Sequence, residues 1–130
     1  MTKIVIVAHH AAFRKSLLTM LQEIPEEIEI TEKDTSFKFI EDLNFLTPDL
    51  VVMDSRMPDR NGIETATIAL TKKPALRIII LSMFTDDKYV QEAKNAGVKG
   101  LALKAPSLKE LMDAYHTVMN DGLYFPYPLK

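Results

Sequence analysis

The chain of 130 residues contains no cysteine, so it can form neither a disulfide nor a thiolate metal site. Its apolar runs are far shorter than the roughly 18 residues that a membrane-spanning helix needs. The first run, at residues 4–7, is also too short and too closely flanked by charge for a secretory signal. These absences favour a single domain that lies in the cytoplasm and has no contact with a membrane.

The chain also lacks a strong excess of charge of either sign. Its 16 basic and 18 acidic residues give a formal net charge of −2, and both signs are spread along the sequence. Binding to nucleic acid through phosphates requires a concentrated basic surface. We therefore expect that this domain alone does not bind DNA.

Short apolar runs alternate with helical patterns along the whole chain, which predicts five strand–helix units. The expected strands are Lys3–Val7, Ile28–Glu32, Leu50–Met53, Leu76–Leu81 and Gly100–Leu103. Such units build an α/β fold, a doubly wound parallel sheet with helices on both faces. The alternating, charged second strand suits an edge position, so the flavodoxin-like strand order 2-1-3-4-5 is the natural candidate.

Helical spacing follows each expected strand. Pro25 should end the first helix, Gly97 should close the fourth, and Ser107 with Glu110 forms a capping box before the last. The inner faces are predicted to consist of Phe13, Leu17, Leu21 and Ile24 in the first helix; Phe37, Ile40 and Leu43 in the second; and Leu108, Leu111, Met112, Tyr115 and Met119 in the last.

Chemically useful side chains stand at the carboxyl ends of these strands. Asp54 follows the third strand, Ser82 the fourth and Lys104 the fifth, while the first strand ends at Ala8 and His9. In an open parallel sheet these ends meet at one crevice. A carboxylate, a hydroxyl and an ammonium can together handle a phosphoryl group. Asp54 can act as the nucleophile, Ser82 can donate a hydrogen bond to a phosphate oxygen, and Lys104 can neutralise its charge.

At these positions the chain resembles the receiver domains of two-component response regulators. The resemblance rests on the motif Asp-x-x-Met-Pro-x-x-x-Gly at 54–62, and on Ser82-Met83-Phe84 paired with Leu103-Lys104. Segments 13–17, 53–58 and 81–84 place it closest to the NarL/LuxR-type subfamily. The resemblance implies a phosphoprotein in which Asp54 accepts a phosphoryl group from a sensor histidine kinase, while Ser82 and Lys104 contact the phosphate. It also implies regulation of transcription, with DNA bound only by a separate effector domain.

The sequence departs from the family pattern where the metal should bind. Family members carry two acidic residues at the positions of Ala8 and His9, and the second acid binds Mg²⁺ together with the phosphoacceptor, here Asp54, and a backbone carbonyl, here that of Arg56. Because imidazole suits softer metals than Mg²⁺, we expect Mg²⁺ binding to be weak or absent. The other interpretation of His9 is that it replaces the lost acid as a ligand for a transition metal. Leu101 stands at the switch position, where many receivers have an aromatic residue.

We divide the chain into a receiver at 1–121 and a tail at 122–130, which resembles the start of a linker to a helix-turn-helix domain. The last helix and fifth strand are expected to form a homodimer surface. One alternative function is a degenerate receiver that acts as a phosphorylation-independent dimerisation or protein-interaction module. Another, weaker one is a small α/β hydrolase or cofactor-binding protein. The chain lacks both the glycine-rich phosphate loop and the serine–histidine–acid set that these would use, so we do not expect an enzyme.

Overall fold

The computed structural model describes residues 1–84 and 86–125. Over this part of the chain, strands and helices alternate as expected: β1 Thr2–Val7, α1 Ala11–Leu21, β2 Ile28–Lys33, α2 Ser36–Leu46, β3 Leu50–Asp54, α3 Gly62–Lys72, β4 Ile78–Ser82, α4 Asp87–Ala96, β5 Gly100–Leu103 and α5 Leu108–Met119. No helix in this part is long and apolar enough to cross a membrane.

The strands form one parallel sheet in the order β2-β1-β3-β4-β5, which confirms the predicted flavodoxin-like α/β fold. β1 and β3 are neighbours, so the direction of winding reverses between them. The register places Asp54 beside Leu81, and Ser82 beside Leu103. The carboxyl ends of the three strands on this side of the sheet therefore lie at one level.

Each face of the sheet carries its own apolar cluster, because successive side chains of a buried strand point to opposite faces. Ile4 and Ile6 of β1 pack with α1 and α5 in the first cluster. Val5 and Val7 pack with residues of α2, α3 and α4 in the second. Because both faces of the central strands are buried, their sequences are unbroken apolar runs.

The predicted inner face of α2 is wrong at Phe37, whereas Leu43 is confirmed and Ile40 packs partly buried on the second cluster. Phe37 is 64% exposed, whereas Ser36, Phe39 and Leu43 are fully buried. The Ser36 hydroxyl lies 2.7 Å from the Thr65 hydroxyl of α3, so the inner face starts at the first residue of the helix. A small polar contact between helices thus turns the aromatic Phe37 outward, which the apolar pattern alone did not indicate.

Other boundaries differ from the predictions by a few residues. α1 ends at Leu21, four residues before Pro25, and Ile24 packs on the first cluster from the loop. β4 begins at Ile78 and not at residue 76. The Ser107 cap of α5 is confirmed by a hydrogen bond that its Oγ accepts from the Glu110 N–H at 3.0 Å.

The end of the described chain returns to the sheet. Leu123–Phe125, called the C-terminal strap below, runs parallel to β5, with Tyr124 beside Gly100. The Tyr124 N–H donates to the Lys99 carbonyl at 3.0 Å, and the Leu101 N–H donates to the Tyr124 carbonyl at 2.7 Å. The first residues of the expected tail are thus packed on the domain, while residues 126–130 of that tail lie outside the described part.

Candidate phosphoacceptor site

Asp54 ends β3 and its side chain is fully buried at the carboxyl edge of the sheet. One carboxylate oxygen, Oδ1, accepts a hydrogen bond from the Arg56 N–H at 3.2 Å. The other, Oδ2, has no partner within the described chain at hydrogen-bond geometry. A buried carboxylate oxygen without a hydrogen bond destabilises the folded state. Such unsatisfied polar groups are typical of reactive sites.

Lys104 supplies the positive charge for this carboxylate. Its Nζ lies 3.3 Å from Asp54 Oδ2, close enough for an ion pair although not aligned as a hydrogen bond. The ammonium also lies 5.1 Å from the centre of the Phe13 ring, a cation–π contact that helps to orient it. The sequence-based pairing of Asp54 with Lys104 is therefore present in the structure.

The backbone just after Lys104 is strained. Ala105 has φ of 58°, in the left-handed region that residues other than glycine seldom adopt. The Lys104 N–H is bonded to the Ser82 carbonyl at 2.9 Å, so the chain turns sharply as soon as the sheet ends. Backbone strain of this kind is found most often at functional sites. Here it occurs in the turn directly after Lys104, whose side chain lies beside Asp54.

Ser82 ends β4 and is fully buried beside this pair of strand ends. Its Oγ accepts a hydrogen bond from the Phe84 N–H at 2.9 Å. Because the oxygen acts as acceptor there, the hydroxyl retains its own proton to donate. This is the arrangement that a phosphate-contacting hydroxyl requires.

Tyr89 and Ser55 belong to this site, and sequence reasoning missed both. Burial raises the pKa of the Tyr89 phenol, while its interactions with the Ser82 and Ser55 hydroxyls act in the opposite direction. Ser55 is itself buried, and its Oγ has no partner at hydrogen-bond geometry in the described chain. Tyr89 and Ser55 line one pocket together with Arg56 and Phe84, so α4 places this ring beside the residues that follow Asp54. The only available signal was the helical position of Tyr89, two residues after the start of α4.

The end of β1 holds a cation where the family has acids. Ala8 is buried, and its carbonyl accepts a hydrogen bond from Arg14 Nη1 at 2.8 Å. The same guanidinium atom lies 3.2 Å from the His9 carbonyl, and Arg14 Nε is paired with Glu32 at 2.9 Å. The His9 side chain is exposed, and its Nδ1 lies 3.2 Å from the Asp34 carbonyl, on the side of the loop after β2.

These residues do not fit Mg²⁺. The ion requires an octahedral set of oxygen ligands, usually with one or two carboxylates. Asp54 offers a carboxylate and Arg56 a carbonyl, but Ala8 offers no side-chain ligand and the His9 ring lies against the Asp34 carbonyl. For the alternative transition-metal site at His9, the residues described here contain no group of three histidine, aspartate or glutamate side chains that could hold a metal ion.

A pocket of about 430 Å³ opens beside the site, and four of its lining residues carry cationic or basic side chains. They are His9, His10, Arg56 and Lys104, with Met57, Pro58 and Met83 completing the wall. Met57 is nearly buried, whereas Met83 is 65% exposed. The pocket therefore offers positive charge and apolar surface, a combination that suits an anion better than a divalent cation.

Asp59 holds the loop after β3 in place, a role that sequence reasoning also missed. Its two carboxylate oxygens accept hydrogen bonds from the N–H groups of Ser36 at 3.1 Å and Phe37 at 2.8 Å. Desolvation acts to raise the pKa of Asp59, but these two backbone donors outweigh it and hold the pKa below the usual range. The Asp54 loop is thereby tied to the start of α2.

Leu101, at the switch position, is fully buried in the second cluster. Its side chain carries no polar tip, and its backbone N–H is already bonded to the C-terminal strap. The structure thus places this residue in the core, where it has little room to move between alternative positions.

Comparisons with known proteins agree with this geometry. The family model described as "Response regulator receiver domain" matches residues 4–116. The chain is 32% identical over 128 residues to the transcriptional regulatory protein LnrK of Bacillus subtilis, covering 97% of this chain and 57% of that protein. It is 32% identical over 118 residues to the DNA-binding transcriptional activator DevR/DosR of Mycobacterium tuberculosis, covering 91% and 54%.

Solved structures show the same fold. A LuxR-family two-component response regulator from Aurantimonas sp. superposes with a TM-score of 0.87 at 25% identity, covering 96% of this chain and 90% of that one. The chain spans little more than half the length of the two curated relatives. The family match over most of its residues, with Asp54, Ser82 and Lys104 assembled at the sheet edge, shows that this chain belongs to the response regulator receiver domains of two-component systems.

Proposed function

We propose that Asp54 accepts a phosphoryl group from a histidine kinase and that this modification regulates transcription through a separate effector domain, in the cytoplasm. The observation that carries the proposal is the buried Asp54 carboxylate, with Oδ1 held by a backbone N–H and Oδ2 facing the Lys104 ammonium at 3.3 Å. Transcription is the proposed output because LnrK and DevR/DosR are named as transcriptional regulators. Family membership supports the kinase as donor.

In the proposed transfer, Asp54 Oδ2 attacks phosphorus while the bond between phosphorus and the kinase imidazole nitrogen breaks. The imidazole leaves with its electron pair and is protonated from solvent. Lys104 stabilises the charge on the phosphoryl oxygens, and the Ser82 hydroxyl donates a hydrogen bond to one of them. Positioning and charge neutralisation account for most of the catalysis in reactions of this type.

Mg²⁺ contributes little to this reaction in our proposal. The misfit at Ala8, His9 and Arg14 removes the family's metal ligands and leaves a guanidinium close by. Charge neutralisation then falls mainly on Lys104, so phosphorylation should be slow. Transfer that is slow but independent of divalent cations is the expected consequence.

The test is intact-mass analysis of the 130-residue chain after treatment with acetyl phosphate, with Mg²⁺ or with a chelator. We expect a labile adduct of one phosphoryl group in both conditions, forming at rates that differ by less than about threefold. A rate that falls more than tenfold in chelator would contradict the metal-independent proposal. An adduct that persists in Asp54→Asn would contradict the assignment of the phosphoacceptor.

A second candidate function is supported by the changed β1 end. A receiver that cannot recruit Mg²⁺ can serve as a phosphorylation-independent dimerisation or protein-interaction module. α5 and β5 present exposed leucines, Leu108 at 43% and Leu103 at 50%, which suit a homodimer surface. The two candidates are distinguished by one pair of measurements: failure to form any adduct together with constitutive self-association selects the second.

A further inference from the structure

A largely apolar pocket opens at the amino edge of the sheet, opposite to the edge that carries Asp54. Its volume is about 360 Å³, and it is lined by Thr47, Pro48 and residues 72–76. These residues lie where α2 leads into β3 and where α3 leads into β4. The pocket is therefore separate from the phosphoacceptor site, and the proposed function makes no use of it.

The walls of this pocket are held in place by the backbone. Thr47 has φ of 41°, in the left-handed region where a β-branched residue is an outlier. Pro48 follows with its φ fixed by the ring, and Asp49 is bonded to the backbone of β1 through both its N–H and its carboxylate, each at 2.8 Å. On the other wall, the Leu76 N–H donates to the Lys73 carbonyl at 3.0 Å. A pocket whose walls are ordered in advance loses little conformational entropy when it is filled.

A large aromatic side chain projects into solvent next to this pocket. Phe45 lies in the last turn of α2, two residues before Thr47. It is 83% exposed, more than any other large apolar residue in the described chain. Burial of a ring of this size in an apolar site is strongly favourable. The surface thus carries a projecting ring and a cavity that can receive one, side by side.

Charges of opposite sign flank the ring and the cavity. Lys72 and Lys73 belong to the wall of the pocket. Glu41 is exposed on α2 and lies four residues before Phe45, so the two share one face of the helix. Neither Glu41 nor the two lysines form an ion pair in the described part of the chain. The surface therefore presents, in order, an acid, a ring, a cavity and two bases.

We propose that this surface binds a second copy of the chain, with Phe45 of each copy buried in the pocket of the other. In a twofold contact one patch serves both copies, so it must carry both the projecting group and the cavity that receives it. Rotation about an axis between ring and pocket brings Glu41 of one copy to Lys72 and Lys73 of the other. An aromatic anchor in a pocket with charges at the rim is the usual composition of an interface. The contact leaves the edge with Asp54 open and does not rest on the proposed function.

Sedimentation of the 130-residue chain over a range of concentrations tests the contact, with Phe45→Ala and Phe37→Ala as a matched pair. Both rings are exposed on α2, so both variants should keep the fold, but Phe37 lies about 12 Å along the helix from Phe45. We expect the natural chain and Phe37→Ala to dimerise equally. Phe45→Ala should raise the dissociation constant at least about tenfold, as the loss of an aromatic anchor does. A natural chain that stays monomeric, or equal weakening by both substitutions, would overturn the proposal.

Exchange of the flanking charges tests how the two copies are oriented. Glu41→Lys alone should raise the dissociation constant about threefold or more, because it places like charges together. Lys72→Glu combined with Lys73→Glu should do the same. The variant with all three substitutions pairs opposite charges again, so it should dimerise about as well as the natural chain. A triple variant that associates no better than either parent would overturn the proposed contact.

Leu108→Glu separates this contact from the α5–β5 surface, which carries Leu103 and Leu108. Leu108 stands at the start of α5, and a carboxylate there should oppose any association through that surface. We expect the dimer formed through Phe45 to persist in Leu108→Glu with a dissociation constant within about threefold of the natural value. Association that is lost in Leu108→Glu and kept in Phe45→Ala would overturn the proposal.

Discussion

The two halves of the site at the carboxyl edge differ in how many side chains of the family pattern they retain. On the side of β3, β4 and β5, Asp54, Ser82 and Lys104 stand together, with Lys104 Nζ 3.3 Å from Asp54 Oδ2. On the side of β1, the acids of the family are replaced by Ala8 and His9, whose carbonyls bind the Arg14 guanidinium. The same sheet edge thus has an intact half, which we propose binds the phosphoryl group, and an altered half, which lacks the acids that would bind a cation.

Residues for phosphoryl binding and residues for cation binding can therefore change independently in this fold. A parallel sheet brings several strand ends to one crevice, but each strand end is a separate position in sequence and can change alone. With Ala8 and His9 at the end of β1, the register places Asp54 beside Leu81 and Ser82 beside Leu103. The comparison therefore predicts a domain with the capacity for phosphorylation and little use of Mg²⁺.

The largest expected effect comes from removing the nucleophile of the intact half. Asp54→Asn should abolish the acetyl phosphate adduct, because an amide oxygen cannot form a stable acyl phosphate. Asp113→Asn is the control, since it changes an exposed aspartate of α5 that takes no part in the site and should leave the yield of adduct unchanged. Intact-mass analysis measures both, and an adduct on Asp54→Asn would show that another residue reacts.

The next largest effect comes from restoring the altered half. Ala8→Asp combined with His9→Asp should strengthen Mg²⁺ binding at least about tenfold, which corresponds to about 1.4 kcal/mol. Without metal the added carboxylates crowd Asp54, so the restored protein should lose about 1 kcal/mol of stability. Calorimetric titration measures the first change and urea denaturation the second. Tight Mg²⁺ binding by the natural chain would remove the contrast between the two halves.

A smaller effect is expected from changing Asp59, which holds the loop that follows Asp54 in the intact half. Asp59→Asn should lower the free energy of unfolding by about 0.5–1 kcal/mol at pH 7, since the amide is a weaker acceptor for the two N–H groups of α2. The pKa of Asp59 is lowered by folding, so its contribution is present above the unfolded pKa of about 4 and is lost as pH falls through the folded value. Urea denaturation from pH 7 to pH 3 should show the two proteins converging. A gap that persists at acidic pH would show that the charge is not responsible.

The smallest expected effect is on self-association. A phosphoryl group shifts an equilibrium only by its differential interaction with the two states. Leu101 is buried and has no polar tip, so the α5–β5 surface should bind a second copy equally well with Asp54 free or occupied. Sedimentation with and without beryllofluoride checks this, once binding of the mimic is established. A monomer-to-dimer shift on binding would mean that the switch acts through this surface after all.

The architecture could be predicted from the sequence because the pattern that encodes it is local. Five apolar runs separated by helical spacing led to the strand order that the structure confirms. Asp54, Ser82 and Lys104 could be chosen because strand ends are visible in sequence and parallel strands end at one edge. The exposure of Phe37 could not be predicted, because Phe37 and Phe39 are equally apolar and the contact of Ser36 with Thr65 is not visible in the helical pattern.

Residue identity and periodicity were enough to predict the fold, the carboxylate, hydroxyl and ammonium at the strand ends, and the lack of acidic side chains at Ala8 and His9. The groups that surround these residues could be found only from the packing of one element on another. Arg14 reaches the end of β1 from α1, Tyr89 of α4 lines a pocket with Ser55, and the strap pairs with β5 more than twenty residues away in sequence. The physical reason is range: periodicity reports which side of an element is buried, whereas contacts between elements depend on the packing of side chains that are distant in the chain.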